Sequence, residues 1–173
     1  DNISKLIPNK EFRIYYSNDL IGTQIGGALK NIYAIAAGIA EGLNLGENAK
    51  SALISRSFAE MTRYAKKFKA DKNTLFGLSG LGDLILTCSS TNSRNTQFGI
   101  KLASSKYDNF LDLLKSQEVT EGYYTVKAVY NISQKKNIDM PIMESVYNIL
   151  YKQHDLKEEL SNLLSRPITE EKI

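Results

Sequence analysis

Residues 18–42 read NDLIGTQIGGALKNIYAIAAGIAEG, and this stretch decides the fold. Its apolar residues recur every three or four positions, which is the spacing of one helix face: Ile21, Ile25, Leu29, Ile32, either Ile35 or Ala36, and Ile39. Ser17 or Asn18 is placed to cap the start of this helix. Many of its other residues are glycine, and each glycine inside a helix costs about 1 kcal/mol relative to alanine. We therefore expect another helix or a ligand to approach closely enough to offset that cost.

The same helical spacing continues through the rest of the chain. Residues 46–69 predict a second long helix, and the glycine-broken segment 77–83 leads into a short helix that ends near Cys88. Further helices are predicted over 94–103, 109–115, 121–136 and 142–151, and from Asp155 to a stop at Pro167. The sequence therefore predicts an all-α, multi-helix bundle.

Residues 12–16, which read FRIYY, interrupt the helical pattern. They are rich in β-forming residues and predict a strand. A single strand before a helical body has no sheet to join. It is either an extended arm on the helical surface or the last strand of a sheet whose earlier strands are missing, and we favour the second. On that interpretation residues 1–16 end an N-terminal domain, and residues 17–173 form a helical domain.

The composition is typical of a globular protein without a metal or a membrane segment. The net charge of the 173 residues is +3, which suits an anionic small ligand as well as a larger polyanion, and the basic residues are scattered, so we expect no nucleic-acid binding. Cys88 is the single cysteine, which excludes an internal disulfide and suits a reducing compartment, and we interpret it as a core residue. The sequence carries one histidine, His154, and no run of apolar residues long enough to cross a bilayer. We expect a cytoplasmic protein that binds no metal.

Lys30 is the first candidate for chemistry. On a helical wheel it lies off the core face, in line with Gly27 and Ala34, which are too small to cover an amine. Any surface helix carries lysines, so a solvated charge is the alternative. The small neighbours favour a slot in which a ligand reaches the amine, and an amine placed there can transfer a proton.

Asp83 and Thr87 are the second candidates. They are four residues apart, which places them on one face of the short helix that follows Gly80-Leu81-Gly82. An ordinary cap at a helix start is the alternative for Asp83. The glycines that precede it do not predict a nucleotide loop, because no strand comes before them and their order is reversed relative to the dinucleotide motif.

Ser93-Arg94-Asn95 open the helix predicted over 94–103. A hydroxyl, a guanidinium, a carboxamide and free backbone amides meet there, and this combination favours an anion. Arginine can hold a phosphate by two hydrogen bonds. A structural cap next to an exposed arginine is the alternative.

These residues lie in segments that resemble the C-terminal domain of bacterial NAD(P)-dependent glycerol-3-phosphate dehydrogenase. The matching segments run in order over nearly the whole chain, and each is weak alone, whereas the ordered set is specific. They are 25–31 (IGGALKN), 77–84 (GLSGLGDL), 87–88 (TC), 93–95 (SRN), 121–122 (EG), 140–142 (MPI) and 164–167 (LSRP). The segment 12–15 (FRIY) also resembles the last strand of the family's nucleotide-binding domain.

The resemblance implies an all-helical substrate domain like that of 6-phosphogluconate dehydrogenase. It implies reversible hydride transfer between NAD(P)H and dihydroxyacetone phosphate, which makes sn-glycerol 3-phosphate for phospholipid synthesis. By motif position Lys30 would exchange a proton with the C2 oxygen, while Asp83 and Thr87 would hold the lysine and the substrate hydroxyls. The resemblance assigns the substrate's phosphate and polar end to Ser93, Arg94 and Asn95, and contacts with NAD or NADP to Arg94, Val119 and Glu121.

The family's GxGxxG loop does not occur in this sequence, so the resemblance implies that an N-terminal Rossmann domain is missing and that the chain is inactive alone. Thr120 stands where many relatives carry an apolar residue, and we assign it no chemistry. We also expect a homodimer. Two alternatives remain: a helical module that binds another protein, and the substrate domain of a related hydroxy-acid dehydrogenase in which residues 93–95 bind a carboxylate.

Overall fold

The structure is a computed structural model, and it describes residues 13–104 and 120–166. Regular structure within these ranges is helical, which confirms the predicted all-α class. A π-helical turn, Leu78–Gly82, lies between the third and fourth helices. The helices are α1 (Leu20–Gly42), α2 (Glu47–Lys67), α3 (Lys72–Phe76), α4 (Asp83–Ser89), α5 (Arg94–Ala103), α6 (Glu121–Lys136), α7 (Pro141–Lys152) and α8 (Leu156–Leu164).

Two expectations for the chain's first residues are corrected. Residues 13–16 form no strand, because the described residues include no neighbouring strand that could pair with them. The cap of α1 is Asp19 rather than Ser17 or Asn18. The Asp19 carboxylate accepts hydrogen bonds from the backbone amides of Gly22, at 2.9 Å, and Asp71, at 2.8 Å. These amides, Gly22 first, lower the pKa of Asp19. Phe12, the predicted helix over 109–115 and Pro167 lie outside the described residues.

The helix α1 forms the centre of the bundle. It packs against α2, α4, α5, α6 and the π-helical turn, and its buried side chains include Leu29, Ile32 and Tyr33. The predicted close approach is confirmed where α1 crosses α5. A Cβ atom on Gly38 would lie 2.0 Å from the carbonyl oxygen of Thr96, and one on Gly99 would lie 2.2 Å from that of Ile35. The two helices therefore touch backbone to backbone.

The start of α7 is capped by a side chain from α2. Pro141 occupies the first turn of α7, where a missing backbone N–H costs nothing, and the carboxylate of Glu60 accepts hydrogen bonds from the next two amides, Ile142 at 2.6 Å and Met143 at 3.2 Å. Burial raises the pKa of Glu60 to about 7. The carboxyl thus joins α2 to α7 inside the core.

Cys88 is fully buried at the end of α4, and burial raises the pKa of its thiol to about 12, as the interpretation of a core residue requires. Within the described ranges, none of the helices has both the length and the apolar content needed to cross a bilayer.

Candidate functional site

Lys30 and Asp83 form an ion pair although 53 residues separate them in the sequence. The distance from Lys30 Nζ to Asp83 Oδ2 is 2.5 Å, and the two side chains are 23% and 30% exposed. A Cβ atom on Gly27, one turn before the lysine, would meet nothing within 4 Å. The lysine is therefore held by a carboxylate, and open space lies one turn before it on α1.

Thr87 lies one turn after Asp83 on α4. Its hydroxyl donates to the backbone carbonyl of Asp83 at 2.6 Å and lies 3.4 Å from Asp83 Oδ1. The backbone carbonyl of Thr87 accepts from the Thr96 hydroxyl of α5 at 2.9 Å. The structure thus brings together the predicted residues Lys30, Asp83 and Thr87, and it ties α4 to α5 at the same point.

Ser93, Arg94 and Asn95 begin α5 as predicted, but they face different surroundings. The Ser93 hydroxyl caps the helix by accepting from the Thr96 amide at 3.3 Å. The Arg94 guanidinium is exposed and donates to Glu121 Oε1 at 2.5 Å. Asn95 is buried, and both ends of its carboxamide bond to protein. Arg94 is therefore the member of the three most accessible to a ligand.

Asn31 is a residue to which the sequence analysis assigned no role, although it belongs to the segment IGGALKN. Its side-chain oxygen accepts from the Asn95 carboxamide at 3.1 Å, and the other end of that carboxamide accepts from the Gly122 amide at 3.0 Å. This network joins α1, α5 and α6. Lys30 is next to Asn31 in the sequence, and Arg94 is next to Asn95. The hydrogen bond between the two asparagines therefore connects the two parts of the predicted site.

Glu121 is the first residue of α6, and it brings a carboxylate to Arg94. The N-termini of α5 and α6 meet here, because the Asn95 side chain of α5 bonds to the Gly122 amide of α6. Partial positive charge collects at helix N-termini and favours anions. Val119, the third residue predicted to contact the cofactor, lies outside the described residues.

A cavity of about 580 Å³ lies elsewhere in the bundle, between α1, α2, α7 and α8. Its lining is mostly apolar and includes Ile39, Leu53, Ile149 and Leu160, with Glu60 among the polar members. None of the predicted site residues that the structure describes lines it. No group of three or more potential metal-ligating side chains occurs in residues 13–104 and 120–166.

The helical bundle has the all-α fold found in the C-terminal domain of glycerol-3-phosphate dehydrogenases of known structure. The family model described as NAD-dependent glycerol-3-phosphate dehydrogenase C-terminus matches residues 19–161, and the chain belongs to this family. The family match confirms the resemblance found in the sequence. It does not favour the alternative of a protein-interaction module.

Individual relatives agree with the family. The chain is 45% identical over 165 residues to glycerol-3-phosphate dehydrogenase [NAD(P)+] of Staphylococcus carnosus, covering 95% of this chain and 49% of that protein. It is 46% identical over 157 residues to the protein of the same name from Colwellia psychrerythraea, covering 91% and 47%. The crystal structure of glycerol-3-phosphate dehydrogenase from Coxiella burnetii superposes with a TM-score of 0.87 at 38% identity, covering 95% and 50%. The chain thus spans about half the length of the relatives it matches.

Proposed function

We propose that this chain is the substrate-binding and proton-transfer domain of an oxidoreductase that interconverts dihydroxyacetone phosphate and sn-glycerol 3-phosphate with NAD(P)H. The observation that carries the proposal is the contact between Lys30 and Asp83, made in a chain of this family. The product would supply glycerophospholipid synthesis. The single cysteine supports a cytoplasmic location.

In the reducing direction Lys30 donates a proton from Nζ to the C2 oxygen of the bound ketone. NAD(P)H, when bound, supplies the hydride that reaches the C2 carbon. The oxygen gains negative charge as the hydride arrives, and the neighbouring ammonium stabilises that charge before the proton moves. In the oxidising direction the neutral amine takes the hydroxyl proton. The Asp83 carboxylate orients the amine in both directions, and the Thr87 hydroxyl fixes Asp83.

Arg94 would bind the phosphate of the substrate. Its guanidinium is exposed at the N-terminus of α5, so a dianion approaching from outside meets the arginine and the helix dipole together. Glu121 occupies the guanidinium here, and the phosphate would replace its carboxylate. The Ser93 hydroxyl lies at the same helix start. Asn95 is buried, so it would contact the substrate only with one edge of its carboxamide, or indirectly through its partner Asn31.

The cofactor would contact Arg94, Val119 and Glu121 and would be bound mainly by an N-terminal Rossmann domain. The exposure of Arg94 and Glu121 supports this, because a group from outside the bundle can reach both side chains. The Arg94 guanidinium can donate to a phosphate, and the Glu121 carboxylate can accept from a ribose hydroxyl. We further propose that residues 1–16 end that domain and that residues 17–173 form the helical substrate domain. The relatives' greater length supports the division. A homodimer stays a prediction.

The test is an assay of the full gene product for NADH or NADPH oxidation. We expect oxidation with dihydroxyacetone phosphate and none with dihydroxyacetone, because the phosphate contact supplies much of the binding. Equal rates with hydroxypyruvate, a carboxylate of similar size, would favour the related hydroxy-acid dehydrogenase instead. Absence of oxidation with any of these ketones would contradict the proposal.

A further inference from the structure

The helix α1 touches the π-helical turn close to the Lys30–Asp83 pair. The contact lies about one turn before Lys30 on one side and about one turn before Asp83 on the other. Gly26 precedes Lys30 by one helical turn on α1, and Ser79 precedes Asp83 by a similar step along the π-helical turn. A Cβ atom on Gly26 would lie 2.1 Å from the Ser79 carbonyl oxygen and 3.3 Å from the Gly80 Cα atom. Two backbones are therefore in direct contact next to the ion pair.

The π-helical turn is also held from its other side. A Cβ atom on Gly80 would lie 2.1 Å from the carbonyl oxygen of Leu75 in α3, so this turn is enclosed between the backbones of α1 and α3. Backbone atoms cannot rotate out of the way as a flexible side chain can. The distance between α1 and the start of α4 is thus fixed by glycines rather than by adjustable side chains. Single π-helical turns are frequent at functional sites.

We propose that Gly26 is a positioning residue for the proposed proton transfer, because its contact with Ser79 sets the separation between Lys30 and Asp83. The inference rests on the proposed function for its catalytic consequence, but the geometry can be tested without turnover. A methyl group at position 26 must push the π-helical turn away from α1. Asp83 begins α4 directly after that turn and would move with it, whereas Lys30 would stay on α1.

The chain offers a matched control at the next position. Gly26→Ala and Gly27→Ala both add one methyl group inside α1 and both gain the same helix propensity. The methyl group meets backbone at position 26 and open space at position 27. A difference between the two variants therefore reports the contact with Ser79 and not the loss of a glycine.

The experiment is a double-mutant cycle of Lys30→Met and Asp83→Asn, measured by urea unfolding in the wild-type, Gly26→Ala and Gly27→Ala backgrounds. We expect the coupling between Lys30 and Asp83 to be lost in the Gly26→Ala background and retained in the Gly27→Ala background. General destabilisation by Gly26→Ala would lower every corner of the cycle equally and leave the coupling intact. A coupling of wild-type size in the Gly26→Ala background would overturn the inference.

A second background keeps the test decisive if Gly26→Ala does not fold. Ser79→Gly keeps the carbonyl oxygen that Gly26 touches and introduces no clash, but glycine makes the backbone of the π-helical turn more flexible. We therefore expect it to reduce the coupling between Lys30 and Asp83 in part. An unchanged coupling would overturn the inference. In the full gene product Gly26→Ala should lower kcat about 100-fold with little change in KM, which is the scale expected for a misplaced catalytic group. If the coupling is lost while kcat is unchanged, the positioning of Asp83 stands and the proposed proton transfer fails.

Discussion

The two ion pairs of the candidate site are built in opposite ways. Lys30 and Asp83 are largely buried, at 23% and 30% exposure, and they come from helices whose backbones touch one turn earlier. Arg94 and Glu121 are 74% and 55% exposed, and each is the first residue of its helix. The N···O distance is 2.5 Å in both pairs. The difference therefore lies in what surrounds the atoms and not in the contact itself.

This difference matches the two tasks that we propose. Proton transfer needs a donor held in one place, and water must be kept from competing with it. Anion binding needs a cation that can release one partner and accept another. An exposed ion pair contributes about 0–1 kcal/mol, so Glu121 can be displaced from Arg94 at little cost. We expect substitutions at the first pair to change turnover and substitutions at the second pair to change affinity.

The largest effect should come from Lys30→Ala in the full gene product. We expect kcat to fall by about 10²–10⁴-fold, the range for loss of a general acid. The matched control is Lys50→Ala, because Lys50 also contacts a carboxylate, Glu41, at 2.5 Å. Steady-state assays at saturating substrate make the comparison. Near-normal turnover of Lys30→Ala would remove the lysine from the mechanism.

Glu60 tests how a fully buried carboxyl that accepts from backbone amides differs from the partly buried Lys30–Asp83 pair. Its pKa is raised by burial from 4.5 to about 7, so the folded state binds a proton that the unfolded state has lost between these pH values. The contribution of Glu60 to stability is present below pH 4.5 and declines as the pH rises to 7. The decline is about 3 kcal/mol at most, at 1.36 kcal/mol for each pKa unit.

The measurement is the free energy of unfolding of the wild type and of Glu60→Gln at several pH values. The glutamine variant should be less stable overall, because one amide of α7 loses its acceptor, but it should lack the decline between pH 4.5 and 7. Subtraction of the two curves cancels the other carboxylates. Parallel curves would show that Glu60 does not titrate in this range.

Arg94→Ala should act on the second pair by raising the KM for dihydroxyacetone phosphate. We expect an increase of about 10–100-fold, since a hydrogen bond to a charged group contributes about 1.5–3 kcal/mol, with a smaller change in kcat. Arg166→Ala is the matched control, because Arg166 is also exposed and bonds to Asp139 at 3.0 Å. An unchanged KM would mean that the phosphate binds elsewhere.

Local chemistry in the sequence predicted one part of this site and not the other. The spacing of Ile25, Leu29 and Ile32 fixes which side of α1 is buried, and Lys30 must then lie off that side. The ion pair with Asp83 depends on an approach of two backbones that no local pattern encodes; the glycines indicate closeness but not the partner. The predicted strand over 12–16 was wrong where the chain is described, because β propensity cannot form a ladder without a second strand.

The same limit explains Asn31 and Asn95. Each is polar and lies at a helix position where a surface residue is the ordinary expectation, and only the crossing of α1, α5 and α6 places them in one hydrogen-bond network. The cap of α1 was misplaced by one or two residues for a similar reason. Asp19 accepts from Asp71, far away in the sequence, as well as from its own helix, and no local pattern predicts the bond to Asp71.

The smallest effect is expected for Glu121→Gln. It distinguishes a Glu121 carboxylate that the substrate displaces from one that holds Arg94 in place for the substrate. If phosphate must replace the Glu121 carboxylate, Glu121→Gln weakens the interaction of residue 121 with Arg94 and makes the guanidinium easier to reach. The KM for dihydroxyacetone phosphate should then fall by about 2–5-fold, in line with the contribution of an exposed ion pair. Glu41→Gln, which changes the partner of Lys50, is the control. The difference between the Glu121 variant and the wild type should shrink as salt is raised, because both charges are exposed. A higher KM in Glu121→Gln would show instead that the carboxylate holds Arg94 ready for the ligand, and the second pair would then be preorganised like the first.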